Sequence, residues 1–156
     1  MSETRCPECH RAIAGGLAAC QADFEALQGR ELAEPSSYAS HRLMVDAYSL
    51  QHPERYCLSA RSYAAHLTGL LAAMEYASRP EVLRALQHWL SSRPALEKPA
   101  LPASRGERTI ASVLGAPDRL ALARAIRAWG ESVWAAYAPW HALAREWAAA
   151  AFASRR

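Results

Sequence analysis

Prolines at positions 35, 53, 80, 117 and 139 cut this chain into stretches whose apolar residues recur every three to five positions, a pattern that favours helices. From Leu17 to Leu32 the recurring residues are Leu17, Cys20, Phe24, Leu27 and Leu32, with Glu25 and Arg30 off that face. Ser36 or Ser37 can cap a second helix from Tyr38 to Gln51, and Pro53 ends it because the residue before a proline is pushed out of the helical region. Residues 53–58 read as a short loop. Ser59 caps a third helix to about Ala77, with Tyr63, Leu67, Leu70, Leu71 and Met74 on one face. Pro80 suits the first turn of a fourth helix, which runs to about Ser92. Pro94, Pro99, Pro102 and Gly106 make 93–108 a loop, and a brief helical turn is expected at Thr109–Leu114. Asp118 opens the last helical pattern, Arg119 to Ser154, in which Pro139 forces a kink or break near Tyr137. No long alternating strand pattern occurs. The expected fold is all-α: one domain over 1–156, a bundle of five or six helices, with residues 1–16 as an N-terminal cysteine-containing zinc knuckle.

A chain of 156 residues buries enough surface to have a core without metals or disulfides. No run of about 20 apolar residues is present, so no membrane span is expected. The start, Met1 to Cys6, lacks the basic and apolar regions of a signal peptide, which points to the cytoplasm of a bacterial-type cell. The net charge is +3, carried almost wholly by arginines, with Lys98 the sole lysine. Arg79, Arg84, Arg119, Arg124 and Arg127 are scattered along helices, and no basic run is long enough to track phosphates, so nucleic acid is disfavoured as a partner.

The four cysteines carry the strongest chemical signal. In a chain with no export signal, clustered cysteines favour metal over disulfides. Cys6-Pro7-Glu8-Cys9 presents two thiolates from one tight turn, and Cys20 adds a third from the first turn of a helix, where the helix dipole favours a thiolate. The fourth zinc ligand follows from register. A short loop makes helices 17–32 and 38–51 antiparallel, so Cys20 comes level with residues 48–52, where His52 sits. His41 falls nearly three turns away, Cys57 is the reserve, and His10 next to Cys9 requires a strained loop. An unmetallated surface pair and a thiol redox pair are the competing readings, the latter disfavoured because no βαβ pattern surrounds the CxxC.

Asp46 is an anion on a largely apolar helix, and a buried carboxylate has to be paired. The same counting sets Asp46 level with His66 on the next helix. The pair reads as a structural lock, as a catalytic or ligand-binding dyad, or as part of a metal site. His141, amid Trp134, Tyr137, Trp140 and Trp147, is a candidate third member. The tryptophans read as core packing or, alternatively, as the wall of a pocket. No GxSxG, P-loop, dinucleotide or HExxH motif occurs.

These residues carry a resemblance. Cys6-Pro7-x-Cys9, Cys20, His41-x-Leu43-x-Val45-Asp46-Ala47-Tyr48-x-x-Gln51-His52-Pro53, Ser62-x-x-x-His66-Leu67, Arg105-Gly106-x-x-Thr109, Trp129-x-x-x-Val133-Trp134 and His141-x-x-x-x-x-Trp147 resemble a family of small microbial proteins of unknown function. The likeness covers most of the chain and brings no activity with it. Cys57 lies outside its pattern, and Glu8 and His10 depart from the glycine-containing CPxC turn usual there. A looser fold-level likeness is to the DinB-like helical bundles, which hold a divalent metal through three histidines; His41, His66 and His141 would be the counterparts.

Three functions follow as expectations. A structural zinc on Cys6, Cys9, Cys20 and His52 would support a binding or regulatory module whose partner is another protein or a small molecule. A metal-dependent enzyme would use Asp46, His66 and His141 beside a pocket lined by Tyr48, Tyr63 and Trp134. A zinc-thiolate redox sensor would lose its metal when Cys6, Cys9 or Cys20 is oxidised. The tryptophan-bearing last helix faces either the core or a second subunit, which leaves a homodimer open.

Overall fold

The computed structural model describes residues 4–33 and 38–155. Within them lie α1 (Gly16–Ala33), α2 (Tyr38–Gln51), α3 (Pro53–Tyr56), α4 (Ala60–Tyr76), α5 (Pro80–Ser91), α6 (Ala111–Leu114), α7 (Arg119–Ala136) and α8 (His141–Ala153). The architecture is all-α: among the described residues there is no strand, only an isolated antiparallel bridge between Arg5 and Ala12. No helix is long and apolar enough to cross a membrane among the residues described.

Local chemistry sets the boundaries. Ser59 and Ser62 form a reciprocal capping box at the start of α4, and the Asp118 carboxylate accepts from the Ala121 amide at 2.8 Å at the start of α7. The cap expected from Ser36 or Ser37 lies outside the described residues. Two expectations need correction. The loop at 53–58 contains the single turn α3, because Pro53 at its first position has φ pre-set and the His52 carbonyl accepts from the amides of Arg55 and Tyr56. The break expected near Tyr137 is present: α7 ends at Ala136, and a 3-10 turn over Ala138–Trp140 separates it from α8. Tyr137 anchors that break: its hydroxyl is buried and donates to the Leu50 carbonyl at 2.5 Å. On α1, Leu32 is 76% exposed and Glu31 faces inward instead. The five-residue step from Leu27 to Leu32 overshoots the helical repeat, whereas Glu31 follows Leu27 by four and shares its face.

The α2 and α4 helices form the centre. The first packs against α4 and α7; the second also meets α5, α7 and α8, and α5 lies along α8. Met44, Leu50, Leu67, Leu70, Leu71, Ile126 and Trp129 are fully buried between them. Gln51 ties the 93–108 loop to this core. Its carbonyl oxygen accepts from the Trp129 indole at 2.8 Å, and its amide donates to the Arg105 and Arg108 carbonyls at 3.0 and 2.7 Å. Every polar atom of that buried amide group is therefore engaged across three segments of chain.

Candidate metal centre

The N-terminal segment folds into a hairpin-like knuckle. The Cys6 amide donates to the Arg11 carbonyl and the His10 amide to the Cys6 carbonyl, both at 3.0 Å. His10 takes the left-handed conformation (φ 62°) that closes this turn, and its side chain is exposed. Gly15 then adopts φ 93°, a region open to glycine, and turns the chain into α1. Cys6 and Cys9 thus face inward from the turn, Cys20 faces them from the first turns of α1, and His52 approaches from the end of α2.

The donor atoms of Cys6, Cys9, Cys20 and His52 all lie within 4.8 Å of one another, and all four residues are buried. The Cys9 and Cys20 sulfurs are 3.8 Å apart; His52 Nε2 is 3.6 Å from Cys6 Sγ and 3.5 Å from Cys20 Sγ. Tetrahedral zinc with Zn–S of about 2.3 Å and Zn–N of about 2.0–2.1 Å has edges of about 3.8 Å between sulfurs and about 3.6 Å between sulfur and nitrogen. Three of the six separations match those edges and the other three stay within 4.8 Å, so the donor set is compatible with a four-coordinate ion. No disulfide links the four cysteines of the chain.

The surroundings orient the ligands. His52 Nδ1 lies 2.8 Å from the Tyr48 carbonyl, so Nδ1–H donates there and Nε2 presents its lone pair to the sulfurs. Tyr48 stacks on His52 with ring centroids 3.9 Å apart, and Phe24 stacks on Tyr48 at 3.8 Å. The Tyr48 hydroxyl points at Cys20 Sγ from 4.0 Å. The Cys9 and Cys20 sulfurs lie within hydrogen-bonding distance of each other. The hydrogen bond from Cys9 lowers the Cys20 thiol to about 4 against the effect of burial, with His52 and Arg11 contributing in the same direction, and Cys9 is raised in turn. The arrangement thus favours a thiolate at Cys20.

The competing ligands are accounted for. Cys57 is buried away from the cluster with its Sγ 3.7 Å from the Ser49 carbonyl, and burial pushes its thiol up to about 12. His41 sits half-buried near the start of α2, on the order of 15 Å from His52 by helical rise. His10 points outward, and none of the three belongs to the cluster.

The Asp46–His66 pair expected from helix register is present, with His66 Nδ1 2.9 Å from Asp46 Oδ1. Arg42 reaches the other carboxylate oxygen at 3.0 Å, a partner that sequence reasoning missed although it stands one turn earlier on the same helix. Gly69 makes room for this carboxylate: a Cβ there would lie 2.0 Å from Asp46 Oδ2. His141 is turned elsewhere. Its ring stacks on Trp134 at 3.7 Å and its Nε2 lies 2.8 Å from the Trp134 carbonyl, so Asp46, His66 and His141 form no metal-capable group among the described residues. Tyr63 and Trp134, expected as pocket walls, are likewise engaged: the Tyr63 hydroxyl donates to the Ala100 carbonyl at 3.2 Å.

The roles of two basic residues beside the cluster also escaped the sequence reading. Arg105 spans from the loop to donate to the Glu8 carbonyl at 2.9 Å and to both Glu54 oxygens. Arg11 pairs with Asp23 at 2.5 Å, while its Nε and Nη1 are buried without a hydrogen-bond partner. Arg105 appeared in the sequence only within the Arg105-Gly106-x-x-Thr109 motif and Arg11 only by its proximity to the CxxC, and neither signal specifies a contact.

Comparison with curated proteins finds no match, and neither does comparison with solved structures. A family model matches residues 4–138, which include the knuckle, all four cluster residues and the helices that carry them; the chain belongs to that family, the family of unknown function DUF5946.

Proposed function

We propose that Cys6, Cys9, Cys20 and His52 hold one zinc ion, and that the ion is structural, fastening the N-terminal knuckle to α1 and α2. The observation that carries this reading is the convergence of four buried donors within 4.8 Å of one another, with three of their separations at 3.5–3.8 Å. Three thiolates and one imidazole in a tetrahedral arrangement suit zinc over harder ions. When bound, zinc supplies four covalent-like links between segments distant in sequence and no free coordination position for a substrate. The protein residues do the rest. Tyr48 fixes the His52 tautomer, Arg11 places positive charge beside the sulfurs, and Arg105 clamps the backbone of the turn. The chain then acts as a metal-stapled helical module that works by binding another protein or a small molecule rather than by metal catalysis.

Asp46 and His66 fit a structural lock in this reading. The carboxylate has no solvent exposure, and its oxygens are engaged by Arg42 one turn earlier on α2 and by His66 of α4.

Elemental analysis of purified protein and of Cys9→Ser, Cys20→Ser and His66→Ala tests the assignment. One zinc per chain is expected in the parent and in His66→Ala, and its loss in the two cysteine variants. Metal lost in His66→Ala but kept in Cys9→Ser would overturn the assignment and favour an enzyme built on the bundle histidines. A parent that neither contains nor takes up zinc would remove the site altogether.

A further inference from the structure

A second site lies away from the cysteines. The α4 and α5 helices are joined by the short turn at 77–79, so the start of α4 lies beside the end of α5. At that open end, a cleft of about 400 Å³ is floored by Ala65, Leu83, Leu86 and Leu90 and flanked by Arg42 of α2 and Arg61 of α4. That volume lies within the roughly 300–1,000 Å³ typical of small-molecule sites. Leu83, Leu86 and Leu90 follow one another at three- and four-residue steps, so they form a continuous apolar stripe on α5.

The charge in the cleft is one-sided. Its described lining residues include two arginines and no carboxylate. Arg42 is tied down: its Nε is held by Asp46 and its Nη2 donates to the Ala65 carbonyl at 3.3 Å. Its position is therefore fixed, and part of its charge is offset by Asp46. Arg61 is exposed and has no ion-pair partner among the described residues, so a full positive charge stands over an apolar floor. The Ser59 and Ser62 hydroxyls at the same end are occupied by the capping box. Gln87 and Ser91 form a polar rim on α5.

We propose that this cleft binds a small amphipathic anion, with a carboxylate or sulfate head against Arg61 and Arg42 and an aliphatic or aromatic body on the leucine stripe. Apolar contact supplies most of the affinity, and the guanidinium selects the sign of the head group. The site is independent of the cysteine cluster. Its occupant is a free small molecule, since the cleft has room for one short chain.

The test is calorimetric titration of the full chain, as purified, with decanoate, decanol and decyltrimethylammonium. Saturable one-to-one binding of decanoate is expected, with decanol about tenfold weaker and the cation weaker still, in line with one charge-assisted contact. Arg61→Gln should weaken decanoate about tenfold and leave decanol unchanged. Ser91→Trp, a substitution at an exposed position on the rim, should block both by filling the cleft. Arg124→Gln, on an exposed face of α7, should change nothing. Equal binding of the three amphiphiles, undiminished decanoate binding by both Arg61→Gln and Ser91→Trp, or no saturable binding at all would overturn the proposal. So would co-sedimentation with phosphatidylglycerol vesicles in place of binding free decanoate.

Discussion

Gly69→Ala offers a sharp test of how Asp46 is held. Gly69 lies inside α4 with an ordinary helical backbone, so alanine there ought to stabilise by up to ~1 kcal/mol through helix propensity alone. The tertiary structure reverses that sign. The new Cβ would sit 2.0 Å from Asp46 Oδ2 and 2.7 Å from its Cγ. A carbon–oxygen contact normally needs about 3.3 Å or more, so the carboxylate has to retreat by over about 1 Å. Its bonds to His66 and Arg42, 2.9 and 3.0 Å long, do not survive that displacement. Depriving a buried charge of its partners costs ~3–5 kcal/mol, which leaves a net loss of ~2–4 kcal/mol after the propensity gain. Urea unfolding followed by tryptophan fluorescence at saturating zinc measures it, and the thermal midpoint should fall by roughly 5–15 °C. In an Asp46→Ala background the clash is gone, and Gly69→Ala should become neutral or stabilising. A Gly69→Ala protein as stable as the parent, or one equally destabilised in both backgrounds, would refute the reasoning.

Other outcomes follow from the same structure. Gln51→Leu strands the Trp129 indole and two loop carbonyls, and should lower unfolding free energy by ~2–4 kcal/mol in urea titrations. Cys57→Ala should leave zinc content at the parental level and cost only about 1 kcal/mol, because Cys57 lies outside the cluster; a loss of metal there would displace His52 as fourth ligand. The hydrogen bonds from Arg145 hold the Glu75 carboxyl below its ordinary value of 4.5, so the pair stabilises the fold above that pH and its contribution fades as pH falls through the lowered pKa. Glu75→Gln should therefore slightly lower the thermal midpoint at pH 7, and the difference from the parent should vanish in melts taken well below pH 4.5.

Much of this protein is legible in one dimension because its signals are local. Proline positions, the Ser59 and Asp118 caps and the apolar periodicity placed the long helices within a residue or two, since capping and propensity act over a single turn. The convergence of His52 on Cys20, and of Asp46 on His66, also followed from sequence, because short connections force antiparallel neighbours and fixed rise turns residue counting into distance. What the sequence left open depends on which faces meet. His141 could lie with Asp46 and His66 or among the tryptophans of the last helix, and the packing of its ring on Trp134 decided between them. Arg105 reaches Glu8 across 97 positions, and Gln51 joins α7 to the 93–108 loop, contacts that no local pattern encodes. The cleft beneath Arg61 is made by three helices, none of which shows it alone. Local sequence determined the elements and the four-residue Cys/His cluster; the tertiary structure decided which charges are satisfied and which remain free, because that depends on distances between segments far apart in the chain.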